Sequence, residues 1–166
     1  MAKSELEAVT EDAIKKGGIL AKLYFDMQSE KEEDLQPLMA DLINNRLLKA
    51  PGVIYCYGSI DEPIKTENTY STNAVLNVLF KDVAALINVA FNFVPAGVEI
   101  IKPEGEISLK PAELQALALD VAQISVEYTK YILERTLTKE DYAKVMQELK
   151  NREELGRKLL DAGKKQ

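Results

Sequence analysis

Tyr70-Ser-Thr-Asn-Ala-Val-Leu-Asn-Val-Leu-Phe80, with the run from Lys81-Asp82 to Ile101 behind it, decides the fold. Its first part alternates. Thr72, Ala74, Leu76, Val78 and Phe80 point one way, and Ser71, Asn73, Val75, Asn77 and Leu79 the other. A period of two with one cleaner apolar face predicts a strand half-buried against helices. Asp82 then stands where an N-cap carboxylate accepts from the free amides of a first helical turn. Val83, Leu86, Ile87, Ala90 and Phe93 follow at helical spacing. Pro95 and Gly97 stop that helix, and Val98–Lys102 is expected to run extended again.

A second half lies upstream. Ile19–Met27 alternates with Ile19, Ala21, Leu23, Phe25 and Met27 on its apolar face. Ser29–Asp34 reads as a charged turn, and Pro37 sits where a first helical turn tolerates proline. Leu38, Leu42, Ile43 and Leu47 carry that helix to Ala50-Pro51-Gly52. Val53–Tyr57 is rich in strand formers, and Asp61–Asn68 reads as a polar hairpin loop. Strand-helix-strand occurs twice, which predicts an α+β ferredoxin-like split βαβ sandwich. Its antiparallel sheet carries two helices on one face.

Both ends add to this sandwich. Ser4-Glu-Leu-Glu7 is a capping-box pattern opening a helix with Leu6, Val9, Ala13 and Ile14, closed by Gly17-Gly18. Lys102-Pro-Glu-Gly105 fits a type I turn that folds Ile107–Lys110 back as a short extra strand. Pro111 opens a long helix. Leu114, Leu117, Val121, Ile124, Tyr128 and Tyr131 recur at alternating three and four, a heptad seam. Thr138-x-x-Asp141 resembles a capping box for a last helix with Tyr142, Val145, Leu149 and Leu159, and order is expected to end after Leu160. The expected organisation is an N-terminal helix over 1–17, the ferredoxin-like domain over 18–110, and a helical pair over 111–162. That pair packs on the domain or on a second subunit.

Composition narrows the chemistry. The 166 residues carry a net charge of −6 and no histidine. Without imidazole there is no Ser-His-Asp or Cys-His arrangement and no histidine ligand for zinc. The single cysteine excludes an intrachain disulfide and is expected of a reducing cytoplasm. No cofactor or metal is expected. The acidic balance, without a dense basic run, argues against nucleic acid as a partner. No apolar stretch approaches the roughly 20 residues that span a bilayer, so no membrane partner is expected.

If two helices cover one sheet face, the other face presents Lys22 and Tyr24 from the first strand and Asn73, Val75 and Asn77 from the strand at 70–80. The second strand adds either Tyr55 and Tyr57 or Ile54 and Cys56. The tyrosines are preferred, because a hydroxyl is costly to bury without a partner. Lys22, Tyr24, Tyr55, Tyr57, Asn73 and Asn77 are therefore the candidate ligand-binding residues. Cys56, with no neighbouring cation in sequence, reads as an inert thiol. Such a face is too apolar to stay bare. The C-terminal helices, a second subunit, or a ligand or nucleic acid would cover it.

The run from Ile19 to Lys102 resembles the ACT-like, ferredoxin-like domains that sense amino acids and other small molecules. The similarity lies in a helix ending at Ala50-Pro-Gly-Val53, a strand with Tyr55 and Tyr57, a strand running into Lys81-Asp82, and Pro95-Ala-Gly-Val98 opening the last strand. The resemblance implies a ligand held at a dimer interface. Leu119, Ile132 and Leu133, apolar but off the heptad seam, give the long helix more than one face to bury and point to a symmetric dimer. The expected function is a non-enzymatic, homodimeric module that binds a small ligand or a protein partner. The alternative is a small enzyme that works without histidine, its cleft lying between the open sheet face and the C-terminal helices.

Overall fold

The computed structural model describes residues 5–163. It forms two compact units, one ending at Leu114 and one beginning at Gln115. The first holds α1 (Glu5–Lys15), β1 (Ile19–Ser29), α2 (Glu32–Asp41), β2 (Val53–Ile60), β3 (Ile64–Lys65), β4 (Tyr70–Phe80), α3 (Val83–Phe93) and β5 (Gly97–Lys102). The antiparallel sheet has the order β2-β4-β1-β5, and β3 pairs with β4 beyond the end of β2. This is the split βαβ sandwich, with the 70–80 strand in an interior position.

Alternation explains the core. Thr72, Ala74, Leu76, Val78 and Phe80 of β4 are all buried, as are Ile19, Ala21, Leu23 and Phe25 of β1. The register pairs Leu23 with Leu76 and Ile19 with Phe80, so the two apolar faces form one surface. Met39, Ile43 and Leu47 lie on it, spaced by four, and Leu35, four residues earlier, is buried as well. At about 3.6 residues per turn such a row drifts around an α-helix. Here the helix widens after Asp41 into a π-helical stretch, Leu42–Leu47, in which Leu48 N–H donates to Ile43 O at 2.9 Å. The wider turn holds Ile43 and Leu47 against the sheet. Asp82 caps α3 as expected, accepting from Ala85 N–H at 2.8 Å.

Three local expectations need correction. Helix α2 starts at Glu32, not near Pro37, which lies inside it. Glu32, Glu33 and Asp34 occupy its first turn, where carboxylates offset the positive end of the helix dipole. The charged turn shrinks accordingly. The short extra strand is Ile64–Lys65, inside the presumed hairpin loop, and Ile107–Lys110 forms no strand. Asp61 makes this possible: its N–H donates to Asn73 O at 2.8 Å and its carbonyl accepts from Thr72 Oγ1 at 2.6 Å, holding the loop along β4. The Lys102–Pro103 peptide is cis.

The second unit consists of most of α4 (Pro111–Thr136) and all of α5 (Lys139–Gly163). Helix α5 runs past Leu160, where order was expected to end. Asp141 N–H donates to Thr138 Oγ1 at 3.2 Å, half of the expected capping box. Ser4, the first residue of the other expected capping box, lies outside the described residues. No residue of α4 is buried.

Candidate functional site

The sheet face away from α2 and α3 is built in rows by the strand register. Tyr57, Asn77, Lys22 and Glu99 form one row across β2, β4, β1 and β5. Ser59, Val75, Tyr24 and Gly97 form the next. Asn73 opposite Asp26 forms a third. Asn73 lies four residues along β4 from Asn77, about 13 Å at 3.3 Å per residue, and so stands apart from the rest.

Lys22, Tyr24 and Glu99 make one polar cluster. Tyr24 Oη donates to Glu99 Oε2 at 3.0 Å, and Lys22 Nζ lies 3.5 Å from the same oxygen. Gly97 makes room for this. A Cβ there would stand 3.2 Å from the Tyr24 ring. The hydrogen bond to Glu99 raises the Tyr24 hydroxyl pKa, with desolvation adding to it. The bond from Tyr24, then the charge of Lys22, lower that of Glu99. The phenol therefore stays protonated and the carboxyl ionised around neutrality. Neither state is poised for proton transfer there.

At the other end of this face the structure departs from expectation, because α1 covers it. Ala13 packs on Leu20 and Leu79, two apolar residues paired across β1 and β4. The turn that brings α1 back needs two glycines. Gly17 has φ +94°, and a Cβ on Gly18 would sit 2.8 Å from the carbonyl oxygens of Ala13 and Phe80. The buried stripe of α1 is Thr10 and Ala13, whereas Leu6 and Val9 remain exposed. Thr10 Oγ1 donates to Leu6 O at 2.7 Å and lies 2.8 Å from Tyr55 Oη. With the Thr10 proton committed, Tyr55 is the donor. Tyr55 thus anchors a helix, and its ring centroid lies 5.8 Å from that of Tyr57. A cavity of about 310 Å³ opens beside them, lined by Thr10, Leu20, Tyr55, Tyr57 and Lys102 together with Leu6, Glu7 and Glu11 of α1.

The face thus carries all six candidate residues and draws five of them into two groups, leaving Asn73 opposite Asp26. Lys22, Tyr24 and Asn77 stand with Glu99, and Tyr55 and Tyr57 line the cavity. Glu99, Thr10 and Lys102 were not foreseen. Leu20 and Leu79 carried the signal for α1, since two leucines at one end of a polar face call for a cover. Cys56 lies on the other face, against the main core. Burial pushes its thiol pKa up to about 11, which keeps it from acting as a nucleophile.

Among the described residues no group of three or more His, Cys, Asp or Glu is placed to hold a metal ion, and no helix is long and apolar enough to cross a membrane. No curated protein and no solved structure matches the chain. One family model does, and it matches residues 20–155, a stretch that takes in all of the sheet but Ile19 and reaches well into α5; the chain belongs to the MJ0538 family.

Proposed function

We propose that the chain is a non-enzymatic binding module that works as a homodimer. The observation that carries this reading is α4. It is rich in large apolar residues and buries none of them, with Leu119 71% and Tyr128 59% exposed. A helix apolar on more than one side needs a partner on more than one side. The chemistry of the open face supports binding over catalysis. Tyr24 and Glu99 are each held in one protonation state around neutrality, and on the opposite face Cys56 is kept a thiol. The same face offers a small ligand one cation at Lys22, amide groups at Asn77 and Asn73, and the tyrosine-lined cavity at Tyr55 and Tyr57.

Light scattering tests the assembly. The expected mass is twice the 18.5 kDa of the chain, and a mass of 18.5 kDa at every concentration overturns the dimer. Thermal-shift screening with amino acids, nucleotides and other metabolites tests the ligand, since binding to the folded state alone raises the midpoint. A hit that survives Tyr57→Ala and Lys22→Ala with unchanged affinity lies elsewhere.

A further inference from the structure

The seven-residue pattern of α4 carries charges as well as apolar residues. Label Leu114, Val121 and Tyr128 position a, and Leu117, Ile124 and Tyr131 position d. Position g is then Glu113, Asp120, Glu127 and Glu134, a carboxylate at each repeat. Position e is Ala118, Ser125 and Ile132, which carry no charge. Leu119, Val126 and Leu133 form a second apolar line at position f, on the side away from the seam. Leu133 is half-buried, as are Leu137, Tyr142 and Val145, so that side is partly covered where the chain turns back. The seam is covered less evenly: Leu117 and Ile124 are half-buried, while Leu114, Val121, Tyr128 and Tyr131, with Ile132 on its flank, are between 41% and 59% exposed.

We infer that a second copy of this chain docks along the α4 seam with the two helices parallel, an inference that rests on the dimeric reading above. Two properties select this occupant. The exposed seam residues and Ile132 on their flank are large apolar side chains in one continuous line, the kind of surface that a standard interface of roughly 800 Å² per partner takes out of water. The acidic line then fixes direction. In a parallel pair each g position faces an e position of the other helix, so every carboxylate meets Ala, Ser or Ile. In an antiparallel pair g faces g, and Glu and Asp meet each other along the whole contact, which is unfavourable. The seam ends at Arg135, which would fall at position a. Its guanidinium lies 4.4 Å from the centroid of the Tyr131 ring.

Disulfide trapping in a Cys56→Ser background tests both parts. In the parallel pair, position a residues face their own copies at a distance a disulfide spans. Tyr128→Cys and Leu114→Cys, both at exposed positions, are each expected to convert mostly to a covalent dimer under mild oxidation and to revert with reductant. In the antiparallel pair, Tyr128 would lie on the order of 16 Å from its copy, given about 1.5 Å of rise per residue. A mixture of Tyr128→Cys and Leu117→Cys would then cross-link while neither did alone. That result overturns the parallel orientation and leaves the dimer standing. A dimer by light scattering that traps in none of these combinations overturns the seam as the interface. A monomer at all concentrations overturns both.

Discussion

Phe80 and Leu119 are both large apolar residues in regular secondary structure, yet Phe80 is fully buried and Leu119 is 71% exposed. The difference lies in the period of their neighbourhoods. Around Phe80 the pattern repeats every two residues on adjacent strands, and α2 and α3 supply the matching cover from within the same 114 residues. Leu119 lies on a helix whose apolar residues repeat every seven, on the side away from the seam, and a seven-residue seam is satisfied by another helix lying alongside. A period that closes on elements of its own chain makes a core. A period that does not makes a contact surface.

The largest expected effect tests that contrast directly. Phe80→Ala should destabilise the sheet unit by about 3–5 kcal/mol in urea unfolding, at any protein concentration. Leu119→Ala should change stability by less than about 0.5 kcal/mol, because an exposed side chain leaves no cavity. Equal losses at the two sites would mean that Leu119 is buried in solution, and the contrast would fail.

Gly58→Ala comes next. Gly58 pairs with Leu76, and a Cβ there would clash with the backbone oxygen of Val75. Backbone cannot rotate away as a side chain can, so β2 must lift from β4. The expected loss is about 2–3 kcal/mol, in the range of overpacked interiors. Hydrogen exchange should locate it on the β2–β4 ladder and leave α4 and α5 unchanged.

These contrasts set how much the residues alone could reveal. The alternation of Ile19–Phe25 and Thr72–Phe80 was legible because each strand has a single apolar face toward the helices. The Asp82 cap was legible for a similar reason, since one carboxylate answers one local need. The start of α2 was not. Pro37 suggested a boundary, but three carboxylates before it had already begun the helix. The strand at Ile64–Lys65 was hidden because what holds it is the backbone of Asp61, which no side-chain pattern announces. At the open face, Lys22, Tyr24, Asn73 and Asn77 could be placed by parity, and Tyr55 and Tyr57 by the cost of burying a hydroxyl. Glu99 was missed because the β5 register, with its irregularity between Leu20 and Ala21, decides which residue faces Lys22. The role of Tyr55 was missed because it depends on Thr10, forty-five residues away.

Tyr55→Phe therefore probes a region intermediate between core and contact surface. It removes one hydrogen bond and leaves the packing of Ala13 on Leu20 and Leu79 in place. The expected cost is about 1 kcal/mol. Amide exchange should speed up in α1 and stay slow in β1 and β4. Uniform loss of protection would mean that α1 and the sheet unfold as one unit.

The smallest effect belongs to the Tyr24–Glu99 pair and should leave global stability unmoved, because both groups are exposed and solvent screens them. The sign can still be read by NMR. The folded-state carboxyl of Glu99 is held below its ordinary range, first by the hydrogen bond from Tyr24 and then by the charge of Lys22. Whatever this favours is present above the unfolded-state pKa and fades as pH falls through the folded one. Tyr24→Phe removes the first cause, so Glu99 should titrate at a higher pH, nearer the usual carboxylate value. Lys22→Gln should move it the same way, since it removes the next two causes, the charge of Lys22 and its hydrogen bond to Glu99. The Tyr24 hydroxyl answers in reverse, with Glu99→Gln lowering its pKa toward the ordinary tyrosine value. An unchanged Glu99 titration in Tyr24→Phe would mean that the hydrogen bond does not persist in solution. The polar row would then offer a ligand a free carboxylate beside Lys22, in place of one already engaged by a phenol.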